Sequence, residues 1–231
     1  MKIMIDAGHG YETPGKRTVD GMQEYEFNRT VAKEMRKLLT AYDGVTVLFS
    51  HSDNRDVPLS ERTAKANREN VNLFVSIHAN AHGNGREWTS AAGIETYVYS
   101  SKPMAAYQLA KNVQASLVKH TSLKDRGVKT ANFHVLKETN MTAILVECGF
   151  MTNKNEASLL RSAAYRLTCA RAIVAGIVTT YNLKKKTKKA SEKVLYKVQT
   201  GAFAEKENAL RLANELKQKG YDAIIVSSKS S

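Results

Sequence analysis

The sequence predicts an α/β protein: a mostly parallel, twisted sheet with helices on both faces, followed by a small strand–helix–strand tail. Two patterns and one break in composition predict it. Short apolar runs alternate with segments of helical spacing through residues 1–183. Such alternation calls for parallel strands joined by crossover helices. The stretch LKKKTKKASEK (183–193) then carries almost no apolar residue, so it reads as a solvated linker.

The elements follow in order. Residues 3–5, Ile-Met-Ile, have the unbroken apolar character of a strand buried on both faces. Phe27, Val31, Met35 and Leu38 repeat at helical spacing within residues 23–41. Residues 45–49 form a second strand. Pro58 opens a helix running through SERTAKANREN. Residues 73–77 make a third strand and 94–99 a fourth with alternating faces. A helix covers 104–120. After a polar loop, 133–136 and 143–146 read as strands, and 155–181 as one or two helices. Beyond the linker, LYKVQTGAF, a helix near 205–219 and DAIIV make the strand–helix–strand tail. Two strands and one helix are too few to hold a core alone. The organisation expected is therefore a large α/β domain at 1–183, a linker at 184–193 and a partial module at 194–231.

Composition narrows the class. The chain has 231 residues, 42% of them apolar, and a formal net charge of +13. That charge suits a polyanionic partner: nucleic acid, an anionic membrane or an acidic cell wall. The lysine-rich segment lacks interleaved aromatics, so stacking on nucleic acid is not expected. The longest apolar helical stretch, AIVAGIV (172–178), is too short to span a membrane. The chain begins directly with a strand pattern and shows no signal segment. Cys148 and Cys169 cannot form a disulfide framework and read as buried thiols.

Four residues stand where a parallel sheet would place its ligand crevice. His9 follows the first strand, His78 ends the third, Glu147 ends the strand AILVE, and Glu24 opens the first helix. Two imidazoles and a carboxylate suit zinc, and a second carboxylate can serve as base. Glu26 rivals Glu24 but lies about 200° around the helix. Asn28, one turn on, shares the Glu24 face and can orient it. His82 in a Gly-rich loop ranks below His78, and His134 can line the cleft. His51 and His120 read as surface residues. Glu147 could instead pair with Arg126 or Lys129. A Cys148 nucleophile is disfavoured because neighbouring strand residues face opposite ways.

Taken together, IDAGHG (5–10), QEYEFN (23–28), PLSERTAKAN (58–67), LFVSIHAN (73–80) and RGVKTANFHVLKETNMTAILVECGFMTN (126–153) carry a resemblance. In this order they resemble the zinc-dependent N-acetylmuramoyl-L-alanine amidases of the amidase-3 type, found in phage endolysins and bacterial autolysins. The resemblance implies an α/β sheet and hydrolysis of the amide between N-acetylmuramic acid and L-alanine of peptidoglycan. It implies zinc held by His9, Glu24 and His78, with Glu147 as the catalytic carboxylate. Asn80 and Arg126 fall in matching motifs and are candidate substrate contacts. The tail resembles the first half of a sporulation-related (SPOR-like) wall-binding repeat. The chain is then expected to be made in the cytoplasm and to reach the wall after lysis or holin-type export. It is expected to be monomeric or weakly self-associating through the tail. The competing class is a non-catalytic peptidoglycan-binding or regulatory protein that keeps the fold.

Overall fold

The computed structural model describes residues 1–13, 17–186 and 198–227. They fall into two compact units, Met1–Lys186 and Thr187–Ser231. The first unit is built on a six-stranded sheet. Its strands are β1 (Lys2–Ala7), β2 (Thr46–Phe49), β3 (Leu73–Asn80), β4 (Ile94–Tyr99), β5 (Asp125–Ala131) and β6 (Thr142–Phe150), in the order β2-β1-β3-β6-β4-β5. β2, β1, β3 and β6 pair in parallel. β4 is antiparallel to β6, and β5 parallel to β4. The sheet is therefore mostly parallel, with two reversed strands at one edge.

Its two faces are covered unequally. Ile3, Ile5, Ala7, Val75, Ile77 and Val146 share a large core with α1 (Glu24–Leu39), α3 (Met104–Thr121) and α6 (Ala163–Tyr181). On α1 that core takes Phe27, Val31 and Met35, one residue every turn. On the other face Met4, Phe74 and Leu145 meet Ala66 of α2 (Leu59–Arg68) and Val135 and Leu136 of α4 (His134–Lys137). This second cluster is small, and the sequence registers where it ends. Along the same face Met4 gives way to Asp6, Phe74 to Ser76, His78 and Asn80, and Leu145 to Glu147. Polar side chains replace apolar ones toward the C-terminal ends of the strands.

Several expectations are corrected. Residues 133–136 are not a strand; His134–Lys137 is one short helical turn. The strand lies earlier, in the supposed polar loop, as β5. β5 is an edge strand with none of its residues fully buried, so it lacks the apolar signature of an interior strand. The apolar Val135 and Leu136 instead cap the second face. Residues 155–181 are two helices, α5 (Lys154–Arg161) and α6, broken at Ser162, whose hydroxyl accepts the Tyr165 N–H. The first three lysines of the lysine-rich stretch sit on the domain: Asp43 N–H donates to Lys184 O, and Lys186 N–H to Ala41 O, both at 2.8 Å. Residues 187–193 lie outside the described residues.

In the second unit α7 (Lys206–Gln218) forms near the expected position. Residues 198–203 and 221–227 are not strands, and 194–197 lie outside the described residues. Strands need a partner to take their hydrogen bonds, and residues 198–227 pair with none among the described residues. α7 buries none of its residues. No helix among the described residues is long and apolar enough to cross a membrane.

The α3–α6 contact sets the thickness of the large core. A Cβ at Gly176 would lie 2.6 Å from Val113 Cα and 2.8 Å from its amide nitrogen. Backbone cannot yield as a side-chain tip does. Gly176→Ala is expected to lower stability by about 1–3 kcal/mol through overpacking. Chemical denaturation of the purified protein measures it.

Candidate metal centre and active site

His9, Glu24 and His78 converge at the C-terminal edge of the sheet, with one ligand-type atom from each within 4.8 Å of the others. Glu24, at the start of α1, is 2% exposed and stands between the two rings. Its Oε1 lies 2.9 Å from His78 Nδ1 and its Oε2 3.2 Å from His9 Nε2. The rings are edge to face, with centroids 5.0 Å apart. Glu24 Oε1 also accepts the Ala79 N–H and an Asn28 side-chain N–H, each at 3.1 Å. Glu26 turns away and accepts the Gln23 N–H that starts the helix.

Charge in this cluster is one-sided. Burial pushes the Glu24 carboxyl up, yet contact with His78 and then His9 holds it well below the usual range. Burial likewise depresses His78, yet its bond to Glu24 leaves it raised. Both shifts mean that the carboxylate and imidazoles are most stable with positive charge among them. Neutral imidazole nitrogens with a carboxylate are a donor set that fits a zinc ion.

His78 is also fixed from behind. Its Nε2 lies 3.1 Å from Ser76 Oγ, and the Ser76 hydroxyl donates to Asp6 Oδ2 at 2.6 Å. Ser76 has one proton and gives it to Asp6, so toward His78 it can only accept. Nε2 therefore donates to Ser76 and Nδ1 donates to the Glu24 carboxylate, so Nδ1 is the nitrogen that would give up its proton to a metal. Asp6 in turn takes Arg62 Nη1 at 2.8 Å and Ser50 Oγ at 2.5 Å. Arg62 Nη1 also donates to Ala7 O at 2.6 Å and Nη2 to His9 O at 2.5 Å. That second bond pins a residue with φ of 63°, where a side chain is strained.

Glu147 lies beside this cluster. In β6 it is in register with His78 of β3 and with Glu95 of β4. It is half-buried, as His78 is. Glu95 was not anticipated. It is 2% exposed and gathers Asn80, Tyr97, Arg126 and Lys129 around it. Arg126 and Lys129 thus pair with Glu95.

The amidase-3 family profile, described as N-acetylmuramoyl-L-alanine amidase, matches residues 3–179. This chain belongs to that family. A SPOR domain profile matches residues 171–231. The sporulation-specific N-acetylmuramoyl-L-alanine amidase of Bacillus subtilis is 38% identical over 229 residues, covering 98% of this chain and 84% of that one. The N-acetylmuramoyl-L-alanine amidase CwlM of Bacillus licheniformis is 37% identical, covering 98% and 85%. Among solved structures, an N-acetylmuramoyl-L-alanine amidase from Clostridium difficile 630 superimposes with a TM-score of 0.74 at 33% identity. It covers 78% of this chain and 96% of that one.

The protein is thus an N-acetylmuramoyl-L-alanine amidase, a peptidoglycan hydrolase, rather than a non-catalytic protein on the same fold. The remaining candidates sort by position. His82 is exposed in its loop and lies outside the cluster, its backbone N–H bonded to Thr152 Oγ1. His134 does not reach the cluster; its Nε2 lies 3.4 Å from Thr63 Oγ1 between α2 and α4. His51 is not a surface residue. Its Nδ1 accepts the Ala7 N–H at 3.0 Å, and burial lowers its pKa to about 4, so it is a neutral structural acceptor. Cys148 is fully buried in the large core; a hydrogen bond with Cys169, and burial, push its thiol well up, which removes it as a nucleophile.

Asp6 and Arg62 are 1% and 2% exposed, so removing one strands the other's charge. Asp6→Asn should destabilise the amidase by about 3–5 kcal/mol near neutral pH. Burial raises the Asp6 pKa, but Arg62, with Ser50 and Ser76, brings it below 3.8. A depressed carboxylate stabilises above its unfolded pKa, and that contribution is lost as pH falls through the folded value. The gap between Asp6→Asn and wild type should therefore be full above about pH 4 and narrow below it. Denaturant midpoints across that range test the sign.

Proposed function

We propose that this amidase is zinc-dependent, that His9, Glu24 and His78 hold the ion, and that Glu147 is the general base and acid. The observation that carries this reading is the convergence of the three donors, with the Nδ1 edge of His78 turned toward Glu24 by the Ser76–Asp6 relay behind the ring. Bound there, zinc would polarise the scissile carbonyl and acidify the attacking water. Glu147, one strand along from His78, takes the proton of that water and passes it to the departing L-alanine nitrogen. Asn28 and the Ala79 N–H hold Glu24 in place throughout. The SPOR match and the excess of basic residues support a tail that keeps the enzyme on an anionic wall, and a site of action at the wall after release from the cell.

Glu147→Ala should bind zinc normally by metal analysis yet lose roughly 10²–10⁴-fold in turnover. Chelation of the wild type should abolish activity, and zinc should restore it. Mass spectrometry of digested peptidoglycan should show new L-alanine amino ends on intact glycan. Activity in Glu147→Ala, or in the chelated enzyme, would overturn the assignment.

Gly8 offers a second handle on the ion. A Cβ there would fall 2.1 Å from His78 Cε1 and 2.3 Å from Nε2. Gly8→Ala should push the ring aside and weaken zinc affinity by roughly 10–100-fold, read by competition with a chromophoric chelator.

A further inference from the structure

Glu95 organises a second charged cluster, one strand beyond Glu147. Its Oε1 accepts Asn80 Nδ2 and Tyr97 OH, both at 2.6 Å. Its Oε2 accepts Arg126 Nε at 2.6 Å and Lys129 Nζ at 2.5 Å. Each oxygen thus takes two donors, and the carboxylate is saturated. Burial pushes its pKa up, and the donors, Lys129 first, bring it below its ordinary value. A carboxylate this buried and this fully bonded is a fixture that sets the positions of the groups around it.

Two positive groups share the Glu95 carboxylate, and Glu147 stands in register beside it. Glu95 engages only the Nε of Arg126, and Nη1 makes a long 3.4 Å contact with Ala92 O. The guanidinium lies over the Phe150 ring at 4.8 Å, which holds its plane. The side chains of Arg126 and Lys129 are 29% and 36% exposed, whereas Glu95 is 2%. The carboxylate lies beneath, and the cations face solvent above it.

Position decides what such a pair can meet. The sheet order carries the crevice from β1 and β3, which bear the metal donors, across Glu147 on β6 to Glu95 on β4 and Lys129 on β5. At about 4.8 Å per strand, β5, which bears both cations, lies roughly 14 Å from β3 and roughly 19 Å from β1. An extended peptide covers the distance from β3 in about four residues at roughly 3.4 Å each, and long Arg and Lys side chains shorten it. The substrate is asymmetric across the scissile amide. Its glycan side presents hydroxyl and acetamido groups, and its peptide side presents carboxylates.

We propose that Arg126 and Lys129, set in place by Glu95, form a clamp for a stem-peptide carboxylate within the first few residues after the scissile amide. The proposal rests on the amidase reading and adds the orientation of the substrate: glycan over the metal strands, peptide toward β4 and β5. Arg126 and Lys129 are binding residues and Glu95 a positioning residue. The clamp makes the enzyme sensitive to amidation of the stem peptide, since a carboxamide cannot accept a charge-assisted pair of bonds.

Two soluble N-acetylmuramoyl tripeptides test it, one with free carboxylates and one with all of them as carboxamides. Zinc-loaded full-length enzyme should favour the acid form by about tenfold or more in kcat/KM, mostly through KM. Arg126→Gln and Lys129→Met should each shrink that preference, and the double variant should bring the ratio near one. Glu95→Gln should shrink it in part. Direct binding of both peptides to Glu147→Ala by calorimetry reads the clamp without turnover, so failure of the amidase reading shows separately as wild-type inactivity on both. Equal binding of acid and amide forms overturns the clamp. So does a variant that loses kcat yet keeps the full acid preference, because the cations would then serve Glu147 or the oxyanion.

Discussion

One buried ion pair supports both sides of the candidate metal centre. Arg62 reaches from α2 to Asp6 in β1, and the same guanidinium holds the carbonyls of Ala7 and His9. Asp6 passes the constraint through Ser76 to the ring of His78. Two histidines separated by 69 positions are thereby fixed by one salt bridge beneath the sheet rim. Buried ion pairs seldom add net stability over an apolar replacement, because desolvation cancels most of the attraction. Here the pair has another use. It holds a strained backbone at His9 and, through Ser76, fixes the His78 ring with Nδ1 toward Glu24.

The unequal covering of the sheet makes room for the chemistry. Three long helices seal one face along its length, while α2 and a single turn of α4 seal only part of the other. Where that cover stops, the strand positions that would otherwise be core carry Asp6, Ser76, His78, Asn80, Glu147 and Glu95. Rigid strands fix these groups more tightly than loops can. The register between strands, rather than proximity in sequence, then sets His78, Glu147 and Glu95 in one row.

That row divides the crevice by charge. At the β1–β3 end carboxylate and imidazoles favour an added positive charge. At the β4–β5 end Arg126 and Lys129 stand partly exposed above the buried Glu95. A substrate with a polarisable carbonyl at one point and carboxylates further along is matched to both ends, so electrostatics alone gives it a direction in the groove.

The sequence by itself determined the parallel core of the sheet and the helices, and it singled out His9, Glu24 and His78, which the fold brings together, with Glu147 beside them. Period-2 and period-3.6 patterns report burial directly, and a histidine or carboxylate closing an apolar strand is conspicuous. It could not show β5, whose residues are polar because an edge strand is half solvated, nor that 133–136 would turn into a helical cap. His51 looked like a surface histidine because its partner, the Ala7 N–H, comes from a strand 44 positions away. In the tail the strand propensity was legible, yet strands require neighbours that residues 198–227 do not supply. Only the tertiary structure decided that Asp6, Arg62 and Ser76 act together, and that Glu95 gathers Asn80, Arg126 and Lys129. A hydrogen bond between distant residues leaves no local pattern; it exists only once the register of the sheet brings its ends together.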